Sequence, residues 1–316
     1  MQIFDAARLR ETVSAVDLID AMRDAFIAVS ERRVRYTFSL LDLDAGDVHV
    51  KAAGEVGGGS YIVKVAASVP SNRDRGLPTA GGAIMLCSAD SAAPVALLVD
   101  EHHLTNARTA AAGALATDVL AAPGASTVAV LGSGIQARAQ VLTLATLRPL
   151  SRVVVWARRS DAAAATARDL ELALPNVGVA TEPSARAAVE SSEIVVTTTA
   201  SKEPLVHEGW LAPGHHVTAL GADDDTEREL TSGCFETADL IVVDSREQTV
   251  ATAELAQAVA EQAVDASQPT ELGEILAGRA PGRSRPEQIT IAKLTGLAAQ
   301  DLAAAKVACA RLGLIP

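Results

Sequence analysis

The chain has 316 residues, 49% hydrophobic and only 3% aromatic, with a formal net charge of −12. That length allows one large or two ordinary domains with ample core, and the acidic balance argues against a nucleic-acid surface. No apolar run approaches a membrane span, residues 1–10 lack a signal-peptide core, and Cys87, Cys234 and Cys309 are scattered singly. A cytoplasmic protein is expected, with no membrane or nucleic-acid partner, no metal site and no disulfide framework.

In chain order, residues 5–31 read as a helix. Ser14 and Asp17 make a capping-box-like pair, and Ile19, Met22, Phe26 and Val29 recur at helical spacing. Short strands follow at Tyr36–Leu43, Val48–Ala52, Tyr61–Ser68, Gly82–Leu86 and Pro94–Val99, with glycine- and asparagine-bearing turns between them. Thr105 reads as the cap of a helix that passes Arg108 and Thr109, runs to Ala121 and stops at Pro123-Gly124.

Beyond it, Thr127–Leu131 is a β-branched strand that runs into Gly132-Ser133-Gly134-Ile135-Gln136-Ala137 and a helix. A second strand, Arg152–Trp156, follows, completing the first half of a dinucleotide-binding βαβ unit. Gly132 permits a sharp turn, Gly134 lets backbone N–H groups approach a pyrophosphate, and Ala137 lets the helix lie close to the sheet. The second strand ends in Arg158-Arg159-Ser160 rather than in an acid. Two guanidiniums and a hydroxyl suit a ribose 2′-phosphate, so NADP is preferred and NAD remains possible. Asp161, ahead of four alanines, reads as a helix cap.

Further strands at Val177–Ala180, Glu193–Thr198, His216–Leu220, Leu240–Val243 and Gln288–Ala292 alternate with helices, including Val250–Ala260. Alternation means parallel pairing with helices on both faces. The expected fold is α/β: a Rossmann-type doubly wound parallel sheet over 123–292, plus a discontinuous α+β domain from 1–122 with 293–316. The final helix, Leu297–Arg311, is expected to return to that first domain.

Several residues could carry chemistry. Lys64 sits mid-strand among β-branched residues, where base rates favour a solvated face over a buried, ligand-directed one. Arg108 falls in the first turn of the predicted helix, where the dipole disfavours a cation, so a bound carboxylate would explain it. Asp223 follows the strand His216–Leu220, at the carboxyl end where parallel sheets bind ligands, although an ordinary turn aspartate is the plainer reading. The pairs His102-His103 and His215-His216 read as loop residues, since adjacent residues rarely share a metal.

Four ordered segments then become specific: Asn72-Arg73-Asp74-Arg75-Gly76-Leu77-Pro78, Leu104-Thr105-Asn106-Ala107-Arg108-Thr109-Ala110-Ala111, Leu131 to Ala137, and Ala219-Leu220-Gly221-Ala222-Asp223. With them the chain resembles the ornithine cyclodeaminase/mu-crystallin family over nearly its whole length. The family covers ornithine and lysine cyclodeaminases, an alanine dehydrogenase, ketimine reductases and ectoine-catabolism proteins. The resemblance implies that Lys64 and Arg108 hold a substrate carboxylate, with Lys51 as a second cation, and that Asp223 handles the proton on the amine. It also implies that Thr109 touches the cofactor diphosphate, that Thr199 lines the nicotinamide side, and that substrate domains pair their sheets in a homodimer.

Three departures stand out. Where many members carry an arginine, this chain has Tyr36-Thr37-Phe38-Ser39. It reads Lys293-Leu294-Thr295-Gly296 where many read Asp-Leu-Thr-Gly, and Asp224-Asp225-Thr226-Glu227-Arg228 follows the site aspartate. The first reading is an NAD(P)H-dependent oxidoreductase moving hydride between nicotinamide and the α-carbon of a small imino or amino acid. The alternatives are a cyclodeaminase that releases ammonia with its cofactor recycled, and a cofactor-bound binding protein without turnover.

Overall fold

The structure is a computed structural model that describes residues 1–224 and 226–315, without the side chain of Arg73. Asp225 of the acidic run therefore lies outside the described residues. The chain divides into two compact units, residues 1–109 with 297–316 and residues 110–296.

The first unit opens with β1 (Gln2–Asp5), α1 (Ala6–Thr12) and α2 (Ile19–Ser30). The single helix expected over 5–31 is thus two, separated by a 3-10 turn at Val16–Leu18. The Ser14–Asp17 pair starts that turn: the Ser14 N–H donates to Asp17 Oδ2 at 2.7 Å. Five strands follow: β2 (Val34–Leu43), β3 (Gly46–Glu55), β4 (Ser60–Ser68), β5 (Ala80–Ser88) and β6 (Pro94–Val99). They form the expected antiparallel meander, in the order β1-β6-β5-β4-β3-β2. The unexpected strand β1 pairs parallel with β6. Its four residues, two of them polar, offer no alternating pattern to read.

One face of this sheet, bearing Ile62, Ile84, Leu86 and Leu98, is buried. The final helix of the chain, Ala298–Arg311, packs against α2 and strands β2 to β5, as expected of a returning helix. Its buried side carries Ala298, Leu302, Ala305, Ala308 and Cys309 at helical spacing. Arg311 fastens its end through Asp17 at 2.7 Å. The guanidinium of Arg311 and the Ser14 hydroxyl hold the Asp17 carboxyl down at about 2. The opposite sheet face carries Ile3, Leu41, Leu43, Val50, Val65 and Val99, all exposed. Cross-strand register places Val50 opposite Val65 and Ser39, and Ile3 opposite Leu97, so these residues share a face.

Helix α3 (His103–Leu120) carries the division between the units, which falls after Thr109. The second unit then runs β7 (Thr127–Leu131), α4 (Ile135–Leu147), β8 (Arg152–Trp156), α5 (Ser160–Ala173), β9 (Gly178–Thr181), α6 (Ala185–Glu190) and β10 (Ile194–Thr197). It continues with β11 (His216–Ala219), α7 (Ser232–Thr237), β12 (Leu240–Val243), α8 (Arg246–Thr249), α9 (Ala253–Ala260), β13 (Thr270–Glu271), α10 (Leu272–Leu276) and β14 (Thr290–Lys293). The helix expected over Val250–Ala260 is α9, which starts three residues later, and α8 is a separate short helix ahead of it.

Eight parallel strands lie in the order β13-β12-β14-β11-β10-β7-β8-β9. The residues of β7 show why helices cover both faces. Val128 and Val130 pack toward α3, α4 and α5, while Ala129 and Leu131 pack toward α6, α7 and α9. Each fully buried valine or leucine contributes roughly 1.5–3 kcal/mol. The order in which strands are added reverses at β7, with β8 on one side of it and β10 on the other, which is a topological switch point. The α/β class with a doubly wound parallel sheet is as expected. The helix closing the chain is α11 (Ala298–Arg311).

Candidate active site

In the first unit, the buried charges gather around Asp301 of α11. Lys64 on β4 is only 2% exposed, and its Nζ lies 2.8 Å from Asp301 Oδ1. The solvated face favoured by base rate is thereby overturned, because tertiary packing supplies a buried counter-charge. Arg108 Nε reaches the same oxygen at 3.2 Å. Its Nη1 donates to Gln300 Oε1 at 2.9 Å. Lys64 also donates to Thr105 Oγ1 at 2.7 Å. Lys51 stands directly opposite Lys64 across β3 and β4, and its ammonium lies 5.3 Å from the Phe38 ring centroid.

Like charges facing each other across a sheet repel, and an anion between them relieves this. Burial opposes ionisation of Asp301, yet the charges of Lys64, Arg108 and Lys51 hold its carboxyl well below the usual carboxylate range. Burial lowers the Lys64 ammonium, with Arg108 adding to the effect against the pull of Asp301. Asp301 Oδ2 and Gln300 Nε2 are buried with no hydrogen-bond partner among the described residues. Buried polar atoms of this kind call for an explanation, and a polar ligand is one.

Two expectations about α3 need correction. The helix starts at His103, so Thr105 lies inside it, and Asp100 Oδ2 accepts the Leu104 N–H at 3.0 Å in the capping role. Arg108 accordingly falls in the second turn, where the dipole argument no longer applies. Its placement follows from Asp301 and Gln300 instead. His102, expected as a plain loop residue, has its imidazole lowered by burial and by Lys64. Both Glu101 (φ 45°) and His102 (φ 64°) adopt left-handed backbone. Such strain persists only where the surroundings impose it. Thr109 follows Arg108 on the same helix.

In the second unit, the glycine turn lies between the end of β7 and the start of α4. Gly132 adopts φ +134°, and a Cβ there would meet Thr198 Oγ1 at 2.3 Å. A Cβ on Gly134 would meet nothing within 4 Å, so the approach to this backbone is open. Gly134 is also the N-cap of α4 and gives no side-chain cap, so the helix N-terminus at Ile135 and Gln136 faces the turn with its dipole, as suits an anionic ligand. Behind the turn, the Ser133 carbonyl accepts from Arg138 Nη1 at 2.8 Å and Thr166 Oγ1 at 3.1 Å. These residues fit a pyrophosphate.

Beyond β8, Arg158, Arg159 and Ser160 are exposed. Arg159, not Asp161, is the N-cap position of α5. Asp161 lies within the first turn and takes the Arg159 guanidinium at 2.6 and 3.2 Å, correcting its expected role as a cap. Thr199 donates through both N–H (2.6 Å) and hydroxyl (2.8 Å) to Glu229 Oε1. Asp223 is exposed, and its carboxylate gathers with those of Asp224 and Glu227 to within 4.8 Å. Burial, then Asp223 and Asp224, push the Glu227 carboxyl up to about 8.

Like His103, which opens α3, His216 differs from its loop reading. It lies in β11 with its ring nitrogens 2.8 Å from Thr290 Oγ1 and Thr218 Oγ1. Burial first, then Arg283 and Arg148, push it down to about 3, so it stays neutral. Sequence reasoning also missed Asp301. Its position on α11, three residues after buried Ala298 and four before buried Ala305, would place it on the core side.

The model of the ornithine cyclodeaminase/mu-crystallin family matches residues 2–312. The chain belongs to that family. An uncharacterized cyclodeaminase of Sinorhizobium fredii is 37% identical over 98% of this chain and 96% of its own length. The structure of the Thermococcus litoralis Δ1-pyrroline-2-carboxylate reductase in complex with NADH and L-proline superposes with TM-score 0.92, at 28% identity, over 98% of this chain and 97% of that one. An archaeal alanine dehydrogenase dimer with bound NAD gives TM-score 0.92 at 29% identity, over 98% and 95%. The family and these relatives mark the chain as an enzyme of oxidoreductase or cyclodeaminase type. No helix among the described residues is long and apolar enough to cross a membrane.

Proposed function

We propose that the protein is an NAD(P)H-dependent oxidoreductase acting at the α-carbon of a small imino or amino acid, of the cyclic-imine reductase or amino-acid dehydrogenase type. The observation that carries this reading is the buried meeting of Lys64, Arg108 and Asp301. In it, Lys64 and Arg108 clamp the substrate carboxylate, with Lys51 as a further cation. Arg can grip a carboxylate through parallel charge-assisted bonds, and orientation of this kind supplies several kcal/mol of rate enhancement. Asp223 gives or takes the proton at the substrate nitrogen.

Gly132, Ser133, Gly134, Ile135 and Gln136 would hold the dinucleotide diphosphate, with Thr109 touching it and Thr199 lining the nicotinamide side. Arg158, Arg159 and Ser160 support a preference for NADP over NAD. When bound, the nicotinamide supplies or accepts the hydride.

A second reading, an ornithine cyclodeaminase-like lyase, is favoured by the acidic turn of Asp223, Asp224 and Glu227, which suits a cationic amine. The exposed apolar sheet face of Ile3, Leu41, Leu43, Val50, Val65 and Val99 supports a homodimer formed by this unit. Following the near-ultraviolet absorbance of NADPH and NADH with a panel of cyclic imines, and ammonia release from ornithine, separates the readings. Steady consumption with a cyclic imine supports the reductase. A flat trace with ammonia release supports the lyase, and neither signal would favour a non-catalytic binder.

A further inference from the structure

Lys293 closes β14, where many family members carry an aspartate. Its side chain is fully buried. Its Nζ lies 3.1 Å from Glu254 Oε1, an oxygen with no hydrogen-bond partner among the described residues, and donates a hydrogen bond to the Ala222 carbonyl. Ala222 immediately precedes Asp223. A buried ammonium is retained only where an opposite charge and hydrogen bonds compensate it. Both are present here.

Glu229, also buried, completes the arrangement. Its Oε2 accepts from the Gly221 N–H at 2.8 Å and from Thr197 Oγ1 at 2.6 Å, while Oε1 takes Thr199. Glu254 Oε2 in turn accepts the N–H groups of Glu229 and of Leu230, the latter at 2.9 Å. Two consecutive residues, Gly221 and Ala222, are therefore gripped by buried polar side chains from β14 and from the segment after the turn. Gly221 packs so tightly that a Cβ would lie 2.1 Å from the Thr199 carbonyl oxygen. Asp223 itself is exposed, so its location depends on the backbone behind it.

We infer that Lys293, compensated by Glu254 and acting with Glu229, is a positioning residue that fixes the 221–223 turn and hence the Asp223 carboxylate. The catalytic part of this inference rests on the proposed role of Asp223. In this chain the lysine replaces the family's usual aspartate and recruits a buried carboxylate as partner. Misplacement of a reacting group by about 1 Å is enough to slow chemistry by about a hundredfold.

The test is the double variant Lys293→Met/Glu254→Gln, which removes the buried cation and its counter-charge together. Backbone amide exchange over residues 220–228 is measured beside steady-state turnover, with melting temperature as the check of folding. The expected result is exchange in that segment faster by about tenfold or more, with exchange in β7 unchanged. Turnover is expected to fall about 10- to 100-fold in kcat, with KM for the imino acid and affinity for reduced dinucleotide within about threefold. Unchanged exchange, or accelerated exchange with unchanged kcat, overturns the inference. A parent enzyme inactive on every imino and diamino acid would defeat the proposed function instead, and the exchange measurement would still decide whether Lys293 holds the turn.

Discussion

Lys64 and Asp301 stand 237 residues apart in the chain and meet at 2.8 Å inside the first unit. The contact ties the central strand of the meander to the last helix. Arg108 joins it on the same oxygen, so two buried cations depend on one carboxylate.

Asp301→Asn should therefore destabilise the protein by about 3–5 kcal/mol, because it leaves buried cations uncompensated. Chemical denaturation of variant and parent measures this. A loss below about 1 kcal/mol would show that Asp301 does not compensate Lys64 and Arg108.

Lys64→Ala should lower kcat/KM by roughly 30-fold to several thousand-fold, corresponding to about 2–5 kcal/mol for a buried charged partner. Affinity for the dinucleotide, followed by fluorescence of the reduced nicotinamide, should stay within about threefold. Equal loss of both would mean that the lysine supports the fold rather than the substrate.

The glycine turn and the β7–α4–β8 unit were readable because their signals are local: β-branched strands, two glycines and an alanine at fixed offsets. The meander was readable for the same reason. The partnership of Lys64 with Asp301 was not, because nothing near Lys64 in the chain announces a helix arriving from the far end. His216 looked like half of a loop pair, yet its ring sits in β11 between two threonines supplied by β11 and β14. Lys293 read as a departure from a family pattern. Only its burial against Glu254 gives it a physical reason. The tie between Arg159 and Asp161 also escaped, since a cap and an ion pair two residues apart use the same residue types.

Arg158→Ala/Arg159→Ala should shift the ratio of NADPH to NADH efficiency toward NADH by about 10- to 100-fold, as expected for losing hydrogen bonds to a charged group. Steady-state kinetics with each cofactor checks it. An unchanged ratio would remove the basis for an NADP preference.

Glu227 titrates at about 8, above its ordinary 4.5, through burial and its acidic neighbours. Its contribution to stability is thus fully present below about 4.5 and is lost as pH rises through about 8. Glu227→Gln should stabilise the protein relative to the parent increasingly across that range. Because the carboxyl is partly exposed, the gain should stay near about 1 kcal/mol, or about 2–4 °C in melting temperature. Parallel thermal melts at acid and alkaline pH measure it, and a constant difference across pH would contradict the shift.

Leu41→Lys/Val65→Lys places two charges on the exposed sheet face. If that face pairs two subunits, the variant should weaken association by about 30-fold or more. Sedimentation velocity over a concentration series reads the change, and an unaltered distribution would place any dimer contact elsewhere.

The central claim is that hydride moves between the nicotinamide and the α-carbon of an imino acid. It is tested most directly with NADPH deuterated at C4 and a cyclic imino acid such as Δ1-pyrroline-2-carboxylate, with the product examined by NMR. One stereospecifically labelled form should deliver its deuterium to the α-carbon of the amino acid formed, and the other form should not. Product lacking deuterium at that carbon with either form, or no product from any imino acid, would contradict the account.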